Sequence, residues 1–349
     1  MSDISQKPNF KMPAEWEHHK SIWIAWPHDK TAFPKIEKVE KDVASIINAV
    51  HESEQVELIV LDEQMKTKAT EILDSLGVNL SKVNFRIAKY LGGWMRDCAG
   101  IFVRNNAGGL ELIDWGFNTW GNKFPELQID ENLPKKIAEW AKTEIVEPGM
   151  ILEGGSIEVN GEGLLLTTEQ CLLNPNRNPG FTKDQIEEKL RKYLGINKII
   201  WLERGLANDH TDGHIDDIVK FVSPNKILCA YEENESDPNC QILKDNYEFL
   251  KNETDANGNR FEVLKLPMPS LYYDEHKPFE NGEKAPASYA NFYIGNNVVL
   301  IPAYQDKNDA KAKEIIQACF PDKKIVQIDC RDLIYGGGAI HCLTQQQPL

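Results

Sequence analysis

Apolar positions along this chain follow two rhythms. In the stretches KSIWIAWP, GGWMRDCAGIFV, GGSIEVNGEGLLLTT, GHIDDIVKFVSPNKILCA and YANFYIGNNVVLIP they form short runs broken by Gly and Asn. Several of these read as a strand, a turn and a second strand. Between them, KIEKVEKDVASIINAVHE, NLPKKIAEWAKTE, TKDQIEEKLRKYLG and KNDAKAKEIIQACF carry apolar residues near helical spacing. The units return roughly every 60 residues, with scatter. A sixth strand-like stretch, GGAIHCLTQQQ, has to pair with the first if the units close into a ring. The pattern predicts an α/β fold of ββαβ-type modules around a pseudo-symmetric centre; a doubly wound α/β sheet is the other arrangement these elements allow. In a ring, the glycine-led strand starts meet near the axis, and motifs far apart in sequence come together.

No Ser/Gly/Pro-rich linker or low-complexity tract divides the 349 residues, so one domain spanning 1–349 is expected. A hydrophobic content of 41% and a charged content of 27% suit a globular chain with a large core. The start, MSDISQKPNFKMPAEW, has no apolar signal-like run, and no stretch approaches membrane-spanning length. The cytoplasm is the expected compartment. Seven dispersed cysteines without a C-x-x-C pair argue against a disulfide framework and a zinc-thiolate site. A net charge of −15 disfavours nucleic acid and anionic lipid as partners, and weakly favours small cations.

Four stretches combine small residues with charge in apolar surroundings: GGWMRDCAG with Asp97, LEGGS with Glu153, NDHTDGHIDD with His210, Asp212, His214 and Asp216, and GGGAIHC with Cys342. Each has a plain structural reading. Asp97 can pair with Arg96 inside its own turn, EGG can be an ordinary turn, and a free Cys is often a buried packing residue. If HTDGHID is a strand, residues 210, 212, 214 and 216 face one way. That arrangement is a solvated acidic face or a metal site built on His210, Asp212 and His214. Glycines 336, 337 and 338 permit close backbone approach by a ligand, and a His from another motif can serve Cys342 as acid-base partner. Should the four motifs converge, crowded carboxylates require a cation. A planar guanidinium suits them, because its fork of N–H donors is held from two edges while its carbon faces a sulfur.

On these residues the chain resembles the agmatine deiminases of the guanidino-group-modifying superfamily. The resemblance runs from MPAEWEHHKSIWIAWP through WMRD, DWGFNTWGNKF, EGGSIEVNGEG, TDGHIDD and PASYANFYIGNN to GGGAIHCLTQQQP, nearly the whole chain. It implies a five-bladed α/β propeller and hydrolysis of agmatine to N-carbamoylputrescine and ammonia, without metal or organic cofactor. By the same resemblance, Cys342 is the nucleophile, His214 the acid-base, Asp97 and Asp216 the guanidinium clamps and Glu153 a further carboxylate. Trp94, Trp115, Trp120, Asp209, His210, Asp212 and Gly337 are expected around the substrate, with Asp209 and Asp212 toward its distal amine. Two positions depart from the family: His210 stands where an acidic residue is common, and Cys98 follows WMRD, placing a second thiol near the clamp. A homodimer is compatible with this reading. Other readings are a deiminase of peptidylarginine or another guanidine, an amidinotransferase, a metal-dependent hydrolase, and a binding protein for cationic metabolites.

Overall fold

The computed structural model describes residues 10–274 and 282–349; the first nine residues and His276 lie outside them. The chain forms five sheets of three or four strands in a mixed α/β fold. The first has the strand order Thr344–Pro348, His19–Ala25, Gln55–Val60, Val83–Ile87. The second runs Phe10–Lys11, Ile101–Asn105, Leu110–Ile113, Glu144–Val146. The third holds Ile157–Val159, Leu164–Thr168 and Lys198–Leu202, and the fourth Val219–Ser223, Lys226–Tyr231 and Glu262–Pro267. The fifth holds Tyr293–Ile294, Val298–Ala303 and Lys324–Asp329.

One plan recurs in all five. A strand pairs antiparallel with the next, and that strand pairs parallel with a third after a helical crossover. A parallel step needs such a crossover, because the chain must return to the starting edge. The crossovers include the four helix-like stretches of the sequence, found at Ile36–Val50, Leu133–Ala141, Lys183–Leu194 and Asp309–Cys319, and also Glu63–Ser75 and Cys240–Asn252. Helix Ile36–Val50 shows why they pack: Val39, Val43, Ile46, Ile47 and Val50 recur at one-turn spacing and are all buried. Helix Lys183–Leu194 is bounded by a capping box at Thr182 and Gln185 and by left-handed Gly195. No helix among the described residues is long and apolar enough to cross a membrane.

The expected closure is present. Thr344 opposes Ile24 and Gln346 opposes Ile22, antiparallel. Gln347 Oε1 accepts hydrogen bonds from Ser21 Oγ and the Trp23 indole at 3.0 and 3.1 Å. Arg96 does not pair inside its own turn: its Nη1 donates to Gln345 Oε1 at 2.8 Å and to Gln346 Oε1 at 2.7 Å. The terminal glutamines give this buried guanidinium more acceptors than its own turn offers. The strand reading of HTDGHID is also corrected. Asp212 and Gly213 adopt φ of 67° and 85°, and Ile215–Asp217 is a single 3-10 turn. The Asp209 carboxylate explains the fold of this stretch, since it accepts the backbone N–H groups of Thr211, Gly213 and His214 at 2.8–3.0 Å.

Candidate active site

The short helix Met95–Cys98, the turn Gly154–Ser156, the turn Ile215–Asp217 and the loop holding Cys342 lie against one another where the sheets meet. Cys342 is buried, with its sulfur 3.1 Å from Asn291 Nδ2 and 3.7 Å from Asp216 Oδ2. The preceding glycines admit other groups. A Cβ on Gly338 would stand 2.9 Å from the Cys342 sulfur, and one on Gly336 within 2.6 Å of the Trp94 and Phe33 rings. Gly337 has φ +95° and lines a cavity of about 250 Å³.

The cavity reaches Trp94, Asp97, Trp120 and Cys342, and its wall includes His210. Asp97 Oδ2 accepts the Trp120 indole N–H at 2.9 Å, and Oδ1 accepts the Gly155 N–H at 2.9 Å. Burial and the charges of Asp216 and Glu153 push Asp97 up to about 6, against the opposing pull of His214 and the indole. His214 is fully buried, its Nδ1 3.8 Å from Asp97 Oδ1 and 4.0 Å from Asp216 Oδ1. Burial alone would lower its pKa; Asp97, Cys171 and Asp216 outweigh burial and raise it well above the ordinary range, leaving an imidazolium.

Gly155 makes this convergence possible. A Cβ there would meet His214 Nδ1 at 2.6 Å, Asp97 Oδ1 at 2.9 Å and Asp216 Oδ2 at 3.1 Å. The EGG stretch is therefore a close-packing element rather than a plain turn. Glu153 lies behind it, with Oε1 paired to Arg177 Nε at 2.6 Å and both side chains fully buried.

Several polar atoms here have no hydrogen bond of ordinary geometry: Asp216 Oδ1, Glu153 Oε2 and both ring nitrogens of His214. Buried polar groups are normally satisfied, so such a concentration beside a cavity marks a place for a polar ligand. The Cys342 thiol is pushed well above its usual value by burial and by Asp216, Asp217 and Asp97, an excess of negative charge that a cation would relieve.

Not every expected residue arrives. Trp115 lies outside the cavity: it packs edge-on against Tyr193 in a separate part of the core, drawn there by apolar neighbours of the second sheet. Asp209 is occupied in folding its own loop. Asp212 is bridged to Lys123 at 2.6 Å and Arg177 at 2.5 Å, outside the cavity lining. The carboxylates that do line it besides Asp97 are Asp29 and Glu126. Cys98 turns to the Trp94 carbonyl, and the thiol beside His214 is Cys171 instead. His210, Asp212 and His214 do not form a ligand set; among the described residues, the close His, Cys and carboxylate group is Glu153, Cys171 and His214.

Sequence reasoning missed Arg177, Asn291 and Cys171. Arg177 and Cys171 lie in segments without periodicity or motif, and Asn291 falls within PASYANFYIGNN, where its amide was one of several without a distinguishing signal.

Residues 11–348 match the family model described as Porphyromonas-type peptidyl-arginine deiminase. A Legionella pneumophila protein named "Putative agmatine deiminase" is 37% identical, across 100% of this chain and 98% of its own length. The solved structure of an agmatine deiminase from Enterococcus faecalis superposes with a TM-score of 0.91 at 33% identity, covering 100% of this chain and 99% of that one. A Cys-to-Ser variant of a C. jejuni agmatine deiminase, solved with substrate bound, superposes at 0.85 with 32% identity, over 99% and 98% of the two chains. The chain thus belongs to the family of Porphyromonas-type peptidyl-arginine deiminases.

Proposed function

We propose that this protein is a thiol-dependent deiminase that hydrolyses agmatine to N-carbamoylputrescine and ammonia. The observation that carries the reading is a buried thiol that lines a cavity together with Asp97, and that stands 3.7 Å from Asp216, whose other carboxylate oxygen accepts no hydrogen bond. The relatives named as agmatine deiminases, one solved with its substrate, support it. The five sheets with their repeated ββαβ plan support a five-bladed α/β propeller, with residues 1–349 as one catalytic domain.

Asp97 and Asp216 hold the guanidinium by two edges and present its carbon to Cys342. The bound cation offsets the negative charge around the thiol, which ionises and attacks. His214, as imidazolium, protonates one nitrogen of the tetrahedral adduct; ammonia leaves, and a thiouronium remains on Cys342. Neutral His214 then takes a proton from water as its oxygen attacks the same carbon. Collapse expels the Cys342 thiolate and leaves a protonated ureido group, whose extra proton returns to the thiolate; the proton that the thiol released to water on ionising converts the departed ammonia to ammonium. Thiol, imidazole and carboxylates supply every role. Asp29 and Glu126 receive the distal ammonium in place of Asp209 and Asp212, which are already paired.

A panel of guanidines assayed for ammonia release tests the reading. Agmatine should be the preferred substrate. Free arginine would carry a carboxylate into an acidic, partly desolvated pocket, at a cost of about 2 to 5 kcal/mol, or about 30- to several-thousand-fold in kcat/KM. Arginine or peptidylarginine turned over as efficiently as agmatine would refute the substrate assignment while leaving the thiol chemistry standing.

A further inference from the structure

His341, next to the thiol in sequence, has no part in the reaction just described, yet it is tightly bound. Its Nδ1 lies 2.7 Å from Asp216 Oδ2. Its Nε2 lies 2.6 Å from Lys220 Nζ and 2.8 Å from Glu15 Oε2. Lys220 also bonds Glu15 at 2.7 Å and stands 3.5 Å from Glu158; Glu15 in turn accepts the Ile294 N–H at 2.8 Å and lies 3.8 Å from Arg96. His341, Lys220, Glu15, Glu158 and Arg96 are all buried.

These groups come from every sheet. His341 and Glu15 flank strands of the first, Arg96 precedes a strand of the second, and Glu158, Lys220 and Ile294 lie on strands of the third, fourth and fifth. A buried charge cluster is no more stabilising than apolar packing of the same volume, so stability does not explain it. What it does provide is a rigid donor on the face of Asp216 that carries Oδ2, while Oδ1 accepts no hydrogen bond and has His214 Nδ1 4.0 Å away.

We propose that His341 is a positioning residue, holding the Asp216 carboxylate aimed at the substrate guanidinium, and that Lys220 and Glu15 act through it by fixing its ring. The inference rests on the reading of Asp216 as a guanidinium clamp. A carboxylate 2.7 Å away requires a hydrogen on Nδ1, and the two neighbours of Nε2 keep the ring from turning. The charged and titratable groups facing Asp216 are Asp217 and His214 from its own stretch, Asp97, Lys220, the Cys342 thiol and His341 itself; the Asn291 amide is also in contact. Burial would push Asp216 up, but the His341 hydrogen bond, reinforced by the charges of His341, His214 and Lys220, holds it below the ordinary carboxylate range.

The test is ammonia release from agmatine across pH for wild type, His341→Asn and His341→Gln. Asn places a nitrogen donor where Nδ1 stands and keeps the bond to Asp216. Gln places it near Nε2 and loses that bond. For His341→Gln, kcat/KM at neutral pH should fall about 10- to 100-fold. Its acid limb, set in wild type by Asp97, should move up by about one pH unit or more, because burial carries an Asp216 without its donor above Asp97, so that Asp216 protonates first. His341→Asn should recover to within about tenfold of wild type, with its acid limb near the original. Equal losses at every pH in both variants, or a wild-type profile in His341→Gln, overturn the proposal. If thermal melting shows that His341→Gln does not fold, Glu15→Gln substitutes for it. There the acid limb should move the same way by less, and an unmoved limb overturns the proposal. Wild type releasing no ammonia from any guanidine would instead bring down the functional reading itself, and this inference with it.

Discussion

The Cys342 sulfur and Asp216 Oδ2 stand 3.7 Å apart, both residues buried. A thiolate there would face a carboxylate with little water to screen the repulsion, and burial disfavours its charge further. The empty site therefore keeps the thiol protonated. On the proposed reading, a guanidinium held against Asp216 reverses the balance.

This relationship is visible in alkylation kinetics. A neutral haloacetamide should inactivate the free enzyme with a higher apparent pKa than a haloalkyl reagent bearing an amidinium, because only the second brings its own positive charge. Superimposable pH profiles for the two reagents would show that the substrate's charge does not generate the thiolate.

Replacing Cys342 by Ser should abolish measurable turnover and leave the fold intact, since an alcohol is a far poorer nucleophile than a thiolate toward a guanidinium. Wild type quenched in acid during turnover should carry added mass on the Cys342 peptide, with Cys171 and Cys98 unmodified. Serine-variant activity comparable to wild type would remove the thiol from the mechanism.

The raised pKa of Asp97, about 6, predicts an acid limb in kcat/KM. A carboxylate raised in the folded protein is protonated as pH falls through that value, and a protonated Asp97 cannot hold the cation. Trp120→Phe removes an N–H donor to the charged form. The limb should then move to higher pH, with about a tenfold loss or more near pH 6. Movement to lower pH, or no movement, would mean that Asp97 does not set the limb.

Arg177 carries a stability prediction. Arg177→Met leaves the Glu153 carboxylate fully buried without its cation, which costs about 3 to 5 kcal/mol. Denaturant unfolding should show the midpoint falling accordingly at neutral pH. An unchanged midpoint would mean that Glu153 finds another partner in the variant.

Much of the architecture is readable because each module repeats the same physical problem. Leu164–Thr168 and Val298–Ala303 are short apolar strands bounded by Gly and Asn turns, and each is followed by an amphipathic helix. That the terminal stretch pairs with the first follows from counting strand-like stretches, whereas the register, Thr344 against Ile24, does not. Within the site, Cys342, Asp97, His214, Asp216 and Glu153 are legible as motifs that set charge beside glycine, and Gly155 and Gly338 show why: a Cβ on the first would meet His214, Asp97 and Asp216, and one on the second the Cys342 sulfur. Trp115 misleads because nearness in sequence to Trp120 does not show which core a ring joins: Trp115 packs with Ile101, Val103 and Ile113, Trp120 with another cluster. Asp209 and Asp212 mislead for a different reason: their partners, backbone N–H groups, Lys123 and Arg177, leave no mark in the periodicity.

Ser21 and Gln347, joined by a side-chain hydrogen bond, are 326 positions apart in sequence. During synthesis, the strand Thr344–Pro348 emerges long after its partner His19–Ala25, together with Cys342, two positions ahead of it. Folding intermediates can build the four other sheets while the first still lacks its edge partner, leaving Ser21 and Trp23 unpaired and open to wrong pairing with another chain. Cys342 reaches its place in the same step that removes this exposed edge. Cys342 and Asp216 are thereby kept apart until that edge closes.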